Sequence, residues 1–396
     1  MTTSIWLDIT HAPADALSAD ITCDVVVIGG GICGTSAALA LAEQGVDVVL
    51  LEGAAIASSA TGRNAGFILQ GTAERYSRAA ALMGRDRARA VHAMTLENHR
   101  QMREAVERFA IDCEYRCRGS LQLAGSEQEE QELLESAALL EEDGFEARVV
   151  DVSGLSPALQ KAGFKVGVHL PQDGEVHPVR FVRGVADAAK RAGARVFENT
   201  HVSGLDASTP GEVVAYTSRG KVHASLAVVA TNARAGELLP FFADKVDPVR
   251  GQMLGTGPAP VIFECPIYAD HGFDYWRQDE AGRLALGGWR NLDPESERGI
   301  DDQLHDDIQE KMTAFVRRFP ELADVEITHR WSGIMGFSRD GLPLVGPSPG
   351  MPGAVAGVGF TGHGFGFAFA AGRGLAEVVL SGESAVTALL GPSRLT

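Results

Sequence analysis

The chain lacks most of what would send it to nucleic acid, to a membrane or to an oxidising compartment. Cations are scarce: 35 Lys and Arg face 52 Asp and Glu, a formal net charge of −17 over 396 residues. Nucleic acid rewards clustered Lys and Arg, so this balance argues against it as a partner. The acidic surface steers a cationic small molecule only weakly once salt screens it. There are five cysteines, at 23, 33, 113, 117 and 265, an odd number without framework spacing; this points to a reducing compartment. Cys113 and Cys117 are four apart but no second pair accompanies them, so no metal is expected. The chain does not open with a basic segment followed by an apolar core, so the expectation is no leader peptide and a cytoplasmic location. The most apolar stretch, 353–380, is interrupted by glycines, His363 and Arg373. It reads as a buried turn and helix, not as a transmembrane segment. No tandem repeat or low-complexity run is present. The length exceeds one ordinary core, so two domains are expected.

What is present is concentrated between Cys23 and Glu52. Residues 24–28 (Asp-Val-Val-Val-Ile) read as a buried strand, and Gly29, Gly31 and Gly34 follow as G-x-G-x-x-G. An alanine- and leucine-rich helix runs to Gln44, Gly45 breaks it, and a second apolar strand ends at Glu52. Strand, glycine turn, helix, strand and acid form a dinucleotide-binding unit, with the acid about twenty residues beyond the glycines. Gly29 permits the turn, and Gly31 lets backbone approach a pyrophosphate. The first helical amides, at Ile32 and Cys33, meet its charge. Gly34 lets helix pack on strand, and Glu52 accepts hydrogen bonds from a ribose. The motif alone does not separate NAD from FAD.

Residues 57–67 are small, polar and punctuated by glycine. They follow the ribose-binding strand directly, so Ser59, Thr61, Gly62, Arg63, Asn64, Ala65 and Gly66 are placed beside the ligand. Residues 1–20 read as a peripheral arm docked by Trp6 and Leu7. Helices are expected at 84–110, 126–143, 179–191 and 301–318, with 113–124 as strand. Val202 opens a strand expected to touch an adenine. A short strand from Leu226 to Ala230 ends at Thr231, where a ligand can lie. His177 beside Pro178 reads as structural. The chain closes with Gly359-Phe-Thr361-Gly362-His363-Gly364-Phe365-Gly366 opening a last helix.

Together these pieces resemble the FAD-dependent amine and amino-acid oxidases of the D-amino-acid oxidase superfamily, which includes glycine, sarcosine and gamma-glutamylputrescine oxidases. The resemblance rests on the fingerprint at 29–34, on Thr61-Gly-Arg-Asn-Ala-Gly66, on Pro248-Val-Arg250-Gly-Gln252, on Asp340-Gly-Leu-Pro343 and on the closing glycine motif. It implies an α/β chain: a Rossmann-type FAD-binding domain with a second α+β substrate domain on a mainly antiparallel sheet. The expected division is 1–80, 151–235 and 326–396 for FAD, and 81–150 with 236–325 for substrate. It adds Gly333 to the cofactor residues. Relatives that attach FAD covalently use a histidine after the ribose-binding strand or a cysteine before the Asp340 position. Residues 53–67 contain no His and 326–340 no Cys, so FAD is expected to be non-covalent. No Lys occupies 284–287, where sarcosine oxidases activate oxygen.

The implied chemistry is loss of a hydride from an amine's α carbon to the flavin, then hydrolysis of the imine. His363 and the backbone around it are candidates to face the flavin, Tyr275 and Trp276 to line the substrate cavity. Arg250, Arg277, Arg290 and Arg339 are candidates to hold a substrate carboxylate, with Arg250 within a framework motif. The implied partners are a small amine or amino acid and either oxygen or an electron carrier. The rivals are a dehydrogenase of the same fold, an NAD-dependent dehydrogenase and a non-catalytic flavin-binding module.

Overall fold

The computed structural model describes residues 3–396. Two eight-stranded sheets organise them. In the first, Ile21–Ile28 lies parallel between Val48–Leu51 and Gly220–Val229. Arg195–Phe197 extends it on one side, and Ala354–Val358 with antiparallel Leu344–Pro347 on the other. Its central strands are apolar on both faces: Val25, Val27, Val48 and Leu50 meet helices that include Ile32–Ala42, Pro178–Arg191 and Gly364–Ser381, and Val26, Ile28, Val49 and Leu51 share a second core with Val202, Val213, Ala215, Leu238 and Phe242. Ile32–Ala42 and Gly364–Ser381 cross on one of these faces. Gly372 permits the crossing, since a Cβ there would lie 2.3 Å from the Cys33 carbonyl oxygen. Ser36 Oγ donates to the Phe369 carbonyl at 2.6 Å across the same contact.

The second sheet runs Ile327–Ser338, Val246–Thr256, Leu284–Gly288, Asp274–Gln278, Ile267–Ala269, Ser120–Leu123, Val166–Leu170, Arg148–Asp151. All its pairings are antiparallel except Ile267–Ala269 with Ser120–Leu123. Its longest pair, Val246–Thr256 with the edge strand Ile327–Ser338, carries one face under the first domain, where Gly333 meets Arg63 and Gly336 meets Asn232. The other face packs the helix Asp306–Arg317 through Ile308, Met312 and Phe315.

Pairing moves the expected domain boundaries. Val166–Leu170 and Ile327–Ser338 belong to the second sheet, although the sequence places them in the cofactor domain. The long helix Arg85–Phe109 moves the other way: Val91, Met102 and Ala105 share a core with the first sheet. Within 113–124 only Ser120–Leu123 is strand. The arm is not peripheral: Trp6 is fully buried, and its indole nitrogen donates to the Asn64 carbonyl at 2.6 Å. No single described helix is long and apolar enough to cross a membrane.

Candidate functional site

The parallel pairing puts two helix starts at the carboxyl edge of the first sheet. The helix Ile32–Ala42 starts there at Gly31, and Gly364–Ser381 starts at His363; neither has a side-chain cap. Such first turns present a partial positive charge, although the Ile32 amide is already taken by Thr61 Oγ1 at 3.2 Å. Between them runs one cavity of about 1220 Å³. That exceeds the roughly 300–1,000 Å³ of ordinary small-ligand sites and suits an extended dinucleotide plus a substrate.

One end of the cavity is the fingerprint. Gly29, Gly31, Ile32, Cys33 and Glu52 line it, as do Val202, Ala230 and Thr231. The Glu52 carboxylate accepts the Gly30 amide at 2.7 Å and the Ala54 amide at 2.9 Å. Burial raises its pKa, opposed by those amide bonds. Ser59, Thr61, Arg63, Asn64 and Ala65 form the middle wall, and Gly333 packs against Arg63 beside them. Thr361, Gly362, His363, Gly364 and Phe365 close the far side.

Four expected contacts serve the frame instead. Gly34, Gly62, Gly66 and Gly359 do not line the cavity. A Cβ on Gly34 would sit 2.0 Å from the Gly29 carbonyl oxygen, which is the helix-on-strand role read from the motif. One on Gly62 would sit 2.2 Å from the Ala57 carbonyl.

Arg250 is a correction. It lies behind the cavity wall and holds the loop 293–305: its guanidinium donates to the Asp301 carbonyl at 2.9 Å, to the Ser296 carbonyl and to the Glu297 carboxylate at 3.3 Å. Its framework motif continues in Gln252, which donates to the same Glu297 at 3.0 Å. Arg277 is buried against Glu175 at 3.0 Å, and Arg339 pairs with Asp244 on the surface. Of the four candidate arginines, Arg290 alone lines the cavity. It stacks on Phe273 and Phe337 at 4.5 and 5.4 Å and pairs with no carboxylate among the described residues.

Around Arg290 the far end of the cavity is aromatic. Tyr268 and Tyr275 are directly opposed on neighbouring strands, with ring centroids 5.7 Å apart. Phe67 meets both edge-on, and His363 lies 6.2 Å from Tyr268. Tyr275 is where the sequence puts it. Its neighbour Trp276 faces the opposite side of the strand and is fully buried in the second core. Tyr268 and Phe67 escaped the sequence reading, because only strand register reveals that they face Tyr275. Asn232 also escaped it: its side-chain oxygen accepts the Gly359 amide at 3.0 Å and so shapes the closing turn. Burial, with the positive charge of Arg290 adding to it, pushes the His363 imidazole down to about 4. Burial also raises the pKa of both tyrosines, so His363 and the phenols are neutral near pH 7.

A doubly covered parallel sheet with a glycine fingerprint, joined to an antiparallel sheet over a shared cavity, defines a dinucleotide-dependent oxidoreductase. Residues 24–378 match the DAO family, described as FAD dependent oxidoreductase. The chain belongs to that family. It is 30% identical over 384 residues to gamma-glutamylputrescine oxidoreductase of Escherichia coli, covering 93% of this chain and 86% of that protein. Glycine oxidase of Bacillus licheniformis is 27% identical, over 90% of this chain and 93% of its own. Among solved structures, glycine oxidase from Geobacillus kaustophilus superposes with a TM-score of 0.80 at 22% identity, over 94% of this chain and 99% of the other. L-proline dehydrogenase from P. horikoshii superposes at 0.79 with 21% identity, over 97% and 98%.

The residues present fit FAD. Thr231 Oγ1 and His363 Nδ1 are buried polar atoms on the cavity without a partner among the described residues. Asn64 and Ala65 also line it, and their backbone amides bond to no described residue. Such groups are costly unless a ligand satisfies them.

Proposed function

We propose that this chain oxidises a primary or secondary amine, an amino acid or a compound like one, to its imine. FAD is bound without a covalent link, and oxygen or an electron carrier takes the electrons onward. The observation that carries the reading is Arg290: a half-buried guanidinium on the cavity wall, among aromatic rings, with no carboxylate of its own. A planar fork of donors held in this way suits a substrate carboxylate. The names of the similar proteins share an amine or amino acid.

Bound in the cavity, FAD supplies a hydride acceptor for the substrate's α carbon. The protein's part is placement. Arg290 holds the carboxylate, and Phe67, Tyr268 and Tyr275 exclude water around the carbon skeleton. The neutral His363 offers Nδ1 as an acceptor to an amine N–H and so orients the amine whose α carbon gives up hydride. The imine then leaves to hydrolyse. The five cysteines are all free, which supports a reducing compartment such as the cytoplasm.

The test is anaerobic bleaching of the purified yellow protein by a panel of amines and amino acids. Amino acids should bleach it, and a peroxide assay in air then separates oxidase from dehydrogenase. A flavin that no amine reduces would leave a binding module; a colourless protein would sink the cofactor placement as well.

A further inference from the structure

Three consecutive carbonyls of the cofactor loop are each gripped by a buried side chain from a different part of the chain. Trp331 Nε1–H donates to the Arg63 carbonyl at 3.0 Å, Trp6 Nε1–H to Asn64 at 2.6 Å, and Arg277 Nε–H to Ala65 at 2.8 Å. All three side chains are at most 1% exposed. They also brace one another. The Arg277 guanidinium lies 4.7 Å from the Trp6 ring, pairs with Glu175 at 3.0 Å and donates to the Val176 carbonyl at 2.9 Å. Trp6 meets the His177 ring edge-on at 5.2 Å.

The consequence lies on the other side of the same peptides. A trans peptide is planar, with N–H and C=O pointing in opposite directions. Turning the Arg63 and Asn64 carbonyls into the protein therefore turns the Asn64 and Ala65 amides out. Both residues line the cavity, and neither amide bonds to another described residue. The third amide in the series, that of Gly66, is taken by the Asn64 side-chain oxygen at 2.7 Å. Two donors are thus fixed in advance toward the cavity, the arrangement that stabilises charge developing on a bound group.

We infer that Trp6, Trp331 and Arg277 are positioning residues for the cofactor: they set the Asn64 and Ala65 amides as paired donors to a polar edge of FAD. This rests on FAD occupying the cavity. The family match begins at residue 24, so the Trp6 pin comes from an arm outside the matched segment. Through that pin, the arm, whose Thr3 and Leu7 also line the cavity, controls cofactor affinity and potential.

The test uses full-length Trp6→Phe, which keeps the ring over Arg277 and removes only the N–H donor. Exposed Asp15→Ala in the same arm is the control. FAD affinity is read from the fluorescence of flavin released on dilution, and the midpoint potential by spectroelectrochemistry. Losing one buried hydrogen bond should weaken FAD binding about 3- to 10-fold. It should also lower the potential, because donors at the flavin edge favour the charged, reduced form. Asp15→Ala should change neither. The Asn64 carbonyl left without its donor should lower apoprotein melting of Trp6→Phe somewhat, so affinity and potential are read at a temperature where both apoproteins are folded. Unchanged affinity and potential in Trp6→Phe under those conditions would overturn the inference, and so would weaker binding with an unchanged potential. Wild-type protein that takes up no FAD would overturn both this inference and the function proposed above. If Trp6→Phe fails to fold, Trp331→Phe carries the same measurement at the neighbouring carbonyl.

Discussion

Asn98 and Phe365 are 267 positions apart and joined by one hydrogen bond: Asn98 Nδ2 donates to the Phe365 carbonyl at 2.8 Å. The same side chain accepts the Ala370 amide through Oδ1 at 3.0 Å. A fully buried amide from the helix Arg85–Phe109 is thereby inserted into the first turns of the helix that closes the cavity. Asn98→Ala removes both bonds and should cost about 1–3 kcal/mol. Urea denaturation of the apoprotein measures it, and a loss below about 0.5 kcal/mol would show that the bonds are easily replaced.

The two fingerprint glycines should fail differently. At Gly31 an added Cβ meets only Thr61 Oγ1, at 3.1 Å, so the fold tolerates a side chain that projects toward the cavity. Gly31→Leu should purify folded and colourless. At Gly34 the Cβ collides with the Gly29 carbonyl at 2.0 Å, so Gly34→Ala should lower stability itself. Flavin absorbance and circular dichroism of each variant decide it. A Gly31→Leu protein that retains its full complement of flavin contradicts the pyrophosphate placement.

Removing the Arg290 charge should separate substrates by their carboxylate. Arg290→Gln is expected to raise KM for an amino-acid substrate by about 100-fold, the loss of a charge-assisted bidentate pair of roughly 3 kcal/mol. Simple amines without a carboxylate should be affected little. Equal losses for both classes would place Arg290 in the frame and not in the site.

Stability should carry a carboxylate signature. Asp173 is buried without a cation: it accepts Ser120 Oγ–H at 2.6 Å and the Gln70 amide at 2.8 Å. Burial raises its pKa from 3.8 to about 7, and those two bonds only partly oppose the shift. With the folded pKa above the unfolded one, the stabilising contribution is full below pH 3.8 and is lost as pH rises to about 7. Asp173→Asn has no proton to lose. Relative to wild type, its melting temperature should therefore rise with pH across that window. A constant difference from pH 4 to 8 would show that Asp173 does not titrate there.

How far the residues alone led depends on the range of the interaction involved. The turn at Gly29–Gly34, the helix after it and the acid at Glu52 are one local unit, and short-range sterics and backbone hydrogen bonding write such a unit into adjacent residues. The closing glycines at 359–366 were equally legible, because a helix start beside a ligand needs small residues whatever the rest of the chain does. Arginines were not legible. Arg250, Arg277, Arg290 and Arg339 carry the same charge, and only tertiary packing decides which meets Glu297, Glu175 or Asp244 and which faces the cavity. The same holds along one strand, where Tyr275 and Trp276 alternate between the site and the second core.

The amino-acid order by itself determined a cofactor-binding βαβ unit, a closing glycine turn and a family, because those features depend on neighbours a few positions away. Tertiary structure decided that the Trp6 arm is part of the cofactor loop's support, that Val166–Leu170 and Ile327–Ser338 belong to the second sheet, and that Arg290, of the four candidate arginines, is the one on the cavity without a carboxylate among the described residues. Each of these is a contact between segments far apart in the chain, and burial and pairing at that distance exist only once the whole chain has packed.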